Sequence, residues 1–389
     1  MNIREIGVKY KDYMIEMRRH FHQNPEPSLH EFETSKRIKE ELDKLNIPYE
    51  SVAGTGVIAT ITGGKPGKTV MLRADIDALE VQEENDVEYK SCRDGVMHAC
   101  GHDGHASSLL GAAHILNEVK DELNGNVKLV FQPAEEIAAG AKKVMEESNL
   151  AEVCDACFGI HLWADIPAGK INIEPGPRMA SAGIFSIDIK GKSGHGSAPH
   201  QTVDAVVVGS AIIMNLQTVV SRMTDPLDTL VVTVGKFDAG TRFNVISGSA
   251  RLDGTTRCFT KEVLEKSPKE IEKMARLTAE AYGATIEFSH YDATIPVIND
   301  PEITEIVANS AEKLYGNESL VSFEKITGGE DFSYFMEGIP GAFGFVGIGN
   351  SEKGANFPHH HEKFNMDEDA LEVAANLYAQ FAVDFLNDN

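Results

Sequence analysis

The chain has 389 residues, more than one ordinary hydrophobic core organises, so two domains of usual size are expected. Its 60 acidic and 36 basic side chains leave a net charge of −24 with no Lys/Arg-rich run, which excludes nucleic acid as a partner because a phosphate backbone would be repelled over most of the surface. No run of about eighteen apolar residues offers a membrane span, and 5 cysteines without framework spacing suit a reducing compartment, so the expected location is the cytoplasm.

The N-terminal stretch MNIREIGVKYKDYMIEMRRHFH carries charges every few residues and reads as an amphipathic helix rather than a leader. Helical spacing returns in HEFETSKRIKEELDKLN from His30, followed by the β-rich runs GVIATITG and TVMLRADID. ASSLLGAAHILNEVK is helical again, NVKLVFQPAEE is a strand running into a loop, and CDACFGIHLW is a strand. Strands alternating with helices predict an α/β fold on a mostly parallel sheet flanked by helices, with ligands gathered at the carboxyl ends of strands.

A different order begins at Ser181. AGIFSIDIKG is a strand, TVDAVVVGSAIIMNLQTVVS a helix, TLVVTVGKFDAG and GSARLDGTTRCF strands, KSPKEIEKMARLTAEAYG a helix and ATIEFSHYD a strand. That βαββαβ sequence is the signature of a ferredoxin-like α+β unit. After Asp292 the first pattern resumes, with helices at PEITEIVANSAEKLYG and DEDALEVAANLYAQFAVDFL around the apolar strand AFGFVGIG. The expected organisation is one α/β domain in two segments, 1–180 and 293–389, with residues 181–292 inserted into it.

Chemistry concentrates at the predicted strand ends. Cys100 and His102 are placed in a strand-to-helix loop, Glu135 and Glu136 follow KLVFQP, His161 ends CFGIH, and His359, His360 and His361 open the loop HHHEKF. Thiolate, imidazole and carboxylate together suit Zn, Mn, Co or Ni better than Ca or Mg, and there are donors enough for two ions. Adjacent carboxylates divide into two roles, one on a metal and one free to take a proton. Metal-assisted hydrolysis needs that division, because an ion lowers the pKa of its water from about 15.7 to roughly 7 and the free carboxylate carries the proton to the leaving nitrogen.

RADIDAL (Arg73 to Leu79), GVMHACGHDGH, FQPAEE, GIHLW, GKSGHGSAPH and HHHEKF occur in this order along the chain. In these motifs the sequence resembles the metal-dependent amidohydrolases of the aminoacylase and carboxypeptidase superfamily, in the branch of hippurate hydrolases, N-acyl-amino-acid amidohydrolases and auxin-conjugate hydrolases. The resemblance covers essentially the whole chain. It implies hydrolysis of the amide bond of N-acyl amino acids or similar small conjugates by a metal-bound hydroxide, or, alternatively, carboxypeptidase or dipeptidase action at the same site. It implies two divalent ions held by Cys100, His102, Glu136, His161 and His360, with Glu135 as general base and proton shuttle.

The inserted segment would then serve as a lid and dimerisation domain. His195 of GKSGHG matches a histidine that reaches the active site of the other subunit in a homodimer, Asn244 and Arg257 match positions that hold the substrate carboxylate, and Gly328 and Gly329 form a loop whose backbone approaches the substrate. Relatives usually read His-x-Pro-x-Phe near the C-terminus, whereas Glu362 stands at the proline position; counting back from Phe364 selects His360 between two other histidines. Asp75, Asp77, His98, Asp103 and His105 read as supports for the ligands, and His20, His22 and His200 as structural or surface groups. Cys154 and Cys157 form a CxxC inside a strand, a setting that does not activate thiolates.

Overall fold

The computed structural model describes residues 2–388, which divide into two compact units: Met1–Gly176 with Ile298–Glu324 and Asp331–Asn389, and Pro177–Val297 with Lys325–Glu330. The larger unit is built on a sheet of β1 (Tyr49–Val52), β2 (Gly56–Thr62), β3 (Lys65–Asp75), β4 (Asn124–Gln132), β5 (Ala156–Pro167), β6 (Ile171–Asn172) and β7 (Gly341–Gly349), in the order β1-β2-β4-β3-β5-β7-β6. The four central strands run parallel and the edges are antiparallel. β7 is buried over nearly its whole length, as a central parallel strand must be when helices cover both faces.

Register sets the site. Asp75 stands opposite Gln132 and Arg73 opposite Gly159, so the carboxyl ends of β3 and β4 lie level with the middle of β5. His161 is therefore mid-strand and not at a strand end, because β5 continues to Pro167. His102 also differs from expectation: it is the first residue of a helix, α2 in the chain-order sequence α1 (Lys11–Gln23), α2 (His102–Val119), α3 (Asp369–Asp388). Gly101, with φ of 93°, makes the sharp entry into α2 possible, since that left-handed conformation costs glycine little.

Buried polar contacts bolt the helices to this sheet. The Tyr378 hydroxyl of α3 donates to the Arg73 carbonyl at 2.6 Å and accepts the Ile160 N–H at 2.9 Å, bridging β3 and β5. The guanidinium of Arg73, itself buried, reaches Asp75 at 2.8 Å, Gln132 at 2.7 Å and Asp331 at 3.0 Å. On α1, Arg18 and His22 are one turn apart and both meet the Asp103 carboxylate, at 2.9 and 2.8 Å, while the other nitrogen of His22 lies 3.2 Å from Glu83. Burial, the largest influence on His22, disfavours its charge, but the two carboxylates outweigh it and hold the imidazole above its ordinary pKa. His22, expected as a structural or surface group, is thus a buried partner of the ligand-bearing helix.

The smaller unit has the strands Ala182–Lys190, Leu230–Ala239, Ser249–Cys258 and Thr285–Thr294 and the helices Ala205–Thr218 and Lys261–Ala281, in the chain order βαββαβ. Numbered 1 to 4 along the chain, its strands form an antiparallel sheet in the order 2-3-1-4, the ferredoxin-like arrangement. Phe185, Ile187, Ile189, Leu252, Ile212 and Ile271 pack between the sheet and its helices. Lys325–Glu330, expected with the second α/β segment, groups with this unit instead, because the Ala180 N–H donates to the carbonyls of Ile326 and Gly328.

Replacing Arg18 by Ala leaves Asp103 buried without its guanidinium, a loss that costs about 3–5 kcal/mol for a broken buried pair. Urea denaturation of Arg18→Ala should show a destabilisation of that order; a change below about 1 kcal/mol would mean that the pair is not what holds α1 to α2.

Candidate metal centre

The middle of β5, the start of α2 and the loops carrying Cys100, Glu135, Glu136 and His360 bring Cys100, His102, Glu135, Glu136, His161 and His360 together. Two groups share Cys100: Cys100 with His102 and His161, and Cys100 with Glu136 and His360; His102 also groups with Glu135 and Glu136, and within each group the donor atoms lie within 4.8 Å of one another. The Cys100 sulfur is 3.5 Å from His161 Nε2, and a Glu136 oxygen lies 3.8 Å from each of His102 Nε2 and His360 Nε2. One thiolate between two donor groups is the layout that a pair of nearby cations would take.

The imidazoles are oriented for ligation. Nδ1 of His161 donates to the Leu162 carbonyl at 2.8 Å and Nδ1 of His102 to the Asp77 carbonyl at 2.9 Å, which leaves each Nε2 facing the cluster. His102 Nε2 and Glu136 Oε1 are buried atoms with no hydrogen-bond partner among the described residues. Two unsatisfied polar atoms at such depth are costly unless something coordinates them, and a divalent cation meets that need.

The loop after β4 is held by acids below it. Asp77 accepts the backbone N–H of Glu135 and of Glu136, one on each oxygen at 3.1 Å, and Ser28 Oγ donates to it at 2.6 Å. Ala134, in the left-handed region with φ of 54°, is kept there by its N–H bond to Glu31 at 2.9 Å. An alanine in that conformation costs about 1–2 kcal/mol, so the buried carboxylates determine where Glu135 points. Glu31 escaped the sequence reading because an acid ahead of a helix is commonplace.

Of three successive histidines, the fold selects one. His359 accepts the Ala164 N–H through Nε2 and lies against Trp163, and His361 stacks on Phe357. His360, with φ of 66°, donates its N–H to Ala99 beside the ligand loop and turns its ring to Glu136. His105 donates from Nδ1 to Asp75 at 2.6 Å and accepts the Leu162 N–H through Nε2, so it props up the residue after His161. His98, expected among the supports, has no hydrogen-bond partner on either ring nitrogen among the described residues, and burial pushes it down to about 4. Burial drives both thiols of the CxxC upward, Cys154 to about 12, which leaves them unreactive.

His195, Asn244, Arg257, Gly328 and Gly329 all lie in the smaller unit. His195 pairs with Val245 in a short ladder beside Asn244, and its Nδ1 accepts from the backbone and hydroxyl of Ser197, at 3.1 and 2.8 Å, which directs Nε2 outward. Arg257 is half-buried, and among the described residues it has no carboxylate partner. Its Nη1 donates to Thr255 Oγ1 at 2.6 Å and to the Thr256 carbonyl at 3.0 Å. A side chain at Gly329 would meet the Thr294 hydroxyl at 2.8 Å, so bare backbone is required there.

A buried, oriented thiolate, imidazole and carboxylate set on an α/β sheet defines a metallohydrolase. The chain belongs to the peptidase family M20/M25/M40, whose model matches residues 71–384. It is 41% identical over 375 residues to N-acetylcysteine deacetylase of Bacillus subtilis, covering 95% of this chain and 96% of that one. It is 40% identical over 381 residues to thermostable carboxypeptidase 2 of Saccharolobus solfataricus, covering 97% and 96%. A solved Bacillus subtilis structure, described as a dinuclear metal-binding peptidase from the M20 family, superposes with a TM-score of 0.86 at 38% identity, covering 97% of this chain and 99% of that one.

Burial lifts the Cys100 thiol well above its ordinary value and raises the Glu136 carboxyl to about 7, so the metal-free protein holds protons that an ion must displace. Both groups are shifted upward, so rising pH removes the competing protons and favours binding. Calorimetric titration of Zn or Mn should therefore show proton release and an affinity that climbs from pH 6 to pH 8. Metal analysis should find His161→Ala and His360→Ala each short of about one ion, and Cys100→Ala short of both. Equal loss in all three variants would contradict a shared thiolate.

Proposed function

We propose that the enzyme hydrolyses the amide bond of N-acyl amino acids or similar small conjugates that carry a free carboxylate, using two divalent ions drawn from Zn, Mn, Co or Ni. The observation that carries this reading is Glu135 standing in one group with Glu136 and His102 while Cys100 serves two donor groups. A site that only stored metal would have no use for the extra carboxylate. When bound, the ions activate water and polarise the acyl carbonyl.

The chain's own residues do the rest. Cys100, His102 and His161 would hold one ion and Cys100, Glu136 and His360 the other. Glu135 takes the proton from the attacking water and passes it to the departing nitrogen. His195 donates to the oxygen on which charge develops, Asn244 and Arg257 hold the substrate carboxylate, and the backbone at Gly328 and Gly329 lies along the bound chain. Carboxypeptidase action is the second reading, kept because the chain is also similar to a thermostable carboxypeptidase.

A homodimer is the proposed assembly. It is supported by the helix Ala205–Thr218, which leaves Val206, Val207 and the 70% exposed Met214 uncovered beside the edge strand Leu230–Ala239. Extended to Met223, the same helix is long and apolar enough by composition to cross a membrane; with Ile212 and Leu216 packed into the core of its unit, we read its outer face as a subunit contact. Cytoplasmic location goes with cysteines that are all free.

Glu135→Gln should retain both ions and lose about 10²–10⁴-fold in kcat, read as amine release from N-acetyl amino acids by the metal-loaded protein; near-normal turnover would remove Glu135 from its role. Mixing inactive Glu135→Gln with inactive His195→Ala should restore part of the activity if His195 serves the other subunit. No recovery in exchanged dimers would confine it to its own.

A further inference from the structure

The sheet of the smaller unit has two unlike faces. Its helices cover the face with Phe185, Ile187, Leu252 and Ile286, so alternation turns Thr233, Ile184, Thr255, Arg257 and Tyr291 to the other. Register lines up one row across all four strands: Thr233 opposite Thr255, Thr255 opposite Ile184, Ile184 opposite Tyr291. Directly opposed side chains stand about 4.5–5.5 Å apart at Cβ, so this row forms one continuous surface.

Arg257 bends back onto that row. Its Nη1 is fastened to Thr255 Oγ1, whose hydroxyl donates in turn to the Gly183 carbonyl at 2.8 Å, and Nη2 and Nε have no partner among the described residues. The other cations of this face are committed among the described residues: Arg251 to Asp188 and Asp253, at 3.0 and 2.9 Å, Lys236 to Asp238 at 2.6 Å, and Lys190 to Glu287. On the row beside Arg257, Ile184 is 36% and Tyr291 60% exposed. A cation half out of water without an anion, next to exposed apolar surface, matches a ligand with one carboxylate and an uncharged side chain.

We propose that this row is the selectivity site for the amino-acid half of the substrate: Arg257 takes its carboxylate, and Ile184 and Tyr291 take an apolar or aromatic side chain. The inference rests on the carboxylate-holding role given to Arg257 above and adds what the neighbouring strands select. A second carboxylate, as in an aspartyl or glutamyl substrate, finds no free cation on the face among the described residues, since Asp188, Asp253, Asp238 and Glu287 already neutralise the remaining ones. Acidic amino acids are therefore discriminated against.

Two substrate series separate this idea from the acyl-group reading: N-acetyl-X and glycyl-X, with X as Phe, Leu, Gly, Asp or Glu, assayed on the metal-loaded enzyme. The expected kcat/KM for Phe and Leu exceeds that for Asp and Glu by at least about tenfold, the lower range of hydrophobic discrimination. Tyr291→Ala and Ile184→Ala, at exposed positions, should shrink the Phe-to-Gly ratio about fivefold to tenfold, and Ile184→Lys should raise Asp and Glu relative to Phe. Turnover of the glycyl series alone would overturn the N-acyl reading while the rank of X still decides this one. Direct calorimetric binding of free L-phenylalanine and L-aspartate gives the same rank without turnover. Equal handling of Phe and Asp, or ratios unmoved in all three variants, would overturn the proposal.

Discussion

Two buried carboxylates at the end of one strand organise the site. Asp75 ends β3 and Asp77 follows it two residues on, both with almost no exposure, and ions so deep are sustained only by dense compensation. Burial is the largest influence on each and opposes ionisation, yet His102, Arg73 and His105 hold Asp75 well below the usual carboxylate range, and His102 and Ser28 lower Asp77. Satisfying these acids draws in the start of α2, the loop after β4 and the residue that follows His161. The metal ligands are assembled as a by-product of that requirement.

Charge compensation continues outward in layers. Asp103, next to His102, is held by Arg18 and His22 from α1, and Arg18 also reaches Glu368 at the start of the last helix. Helix α1 and the start of the last helix are thus coupled to the ligand loop through ionic contacts rather than through apolar packing alone. A metallohydrolase gains from this, because the positions of its donor groups must hold to a fraction of an ångström.

The two units divide the chemistry. The larger one supplies donors that are buried, oriented and reluctant to lose their protons without an ion. The smaller one carries an exposed imidazole fixed through its Nδ1, a half-buried guanidinium with two nitrogens uncommitted among the described residues, and an apolar row beside it. Buried, fixed donors and solvent-facing polar groups thus stand on separate sheets, each with the packing it needs.

Much of this was legible in the residues. Alternating periodicity marked the α/β sheet and the βαββαβ unit, and the ordered motifs singled out the thiol, imidazoles and carboxylates that the fold gathers, because residue type alone decides which atoms can bind a cation or carry a proton. What the order of residues left open was set by contacts between distant segments. Three adjacent histidines are chemically identical until Ala164, Phe357 and Glu136 each occupy one; His161 looks like the end of a strand until β5 pairs onward to Pro167. Likewise His22 resembles a surface group until Asp103 and Glu83 close on it, and Lys325–Glu330 follows its neighbours in sequence until its carbonyls bond to Ala180. Donor identity is a property of the side chain and can be read one residue at a time. Orientation, burial and protonation are properties of its surroundings, and those exist only once the chain has folded.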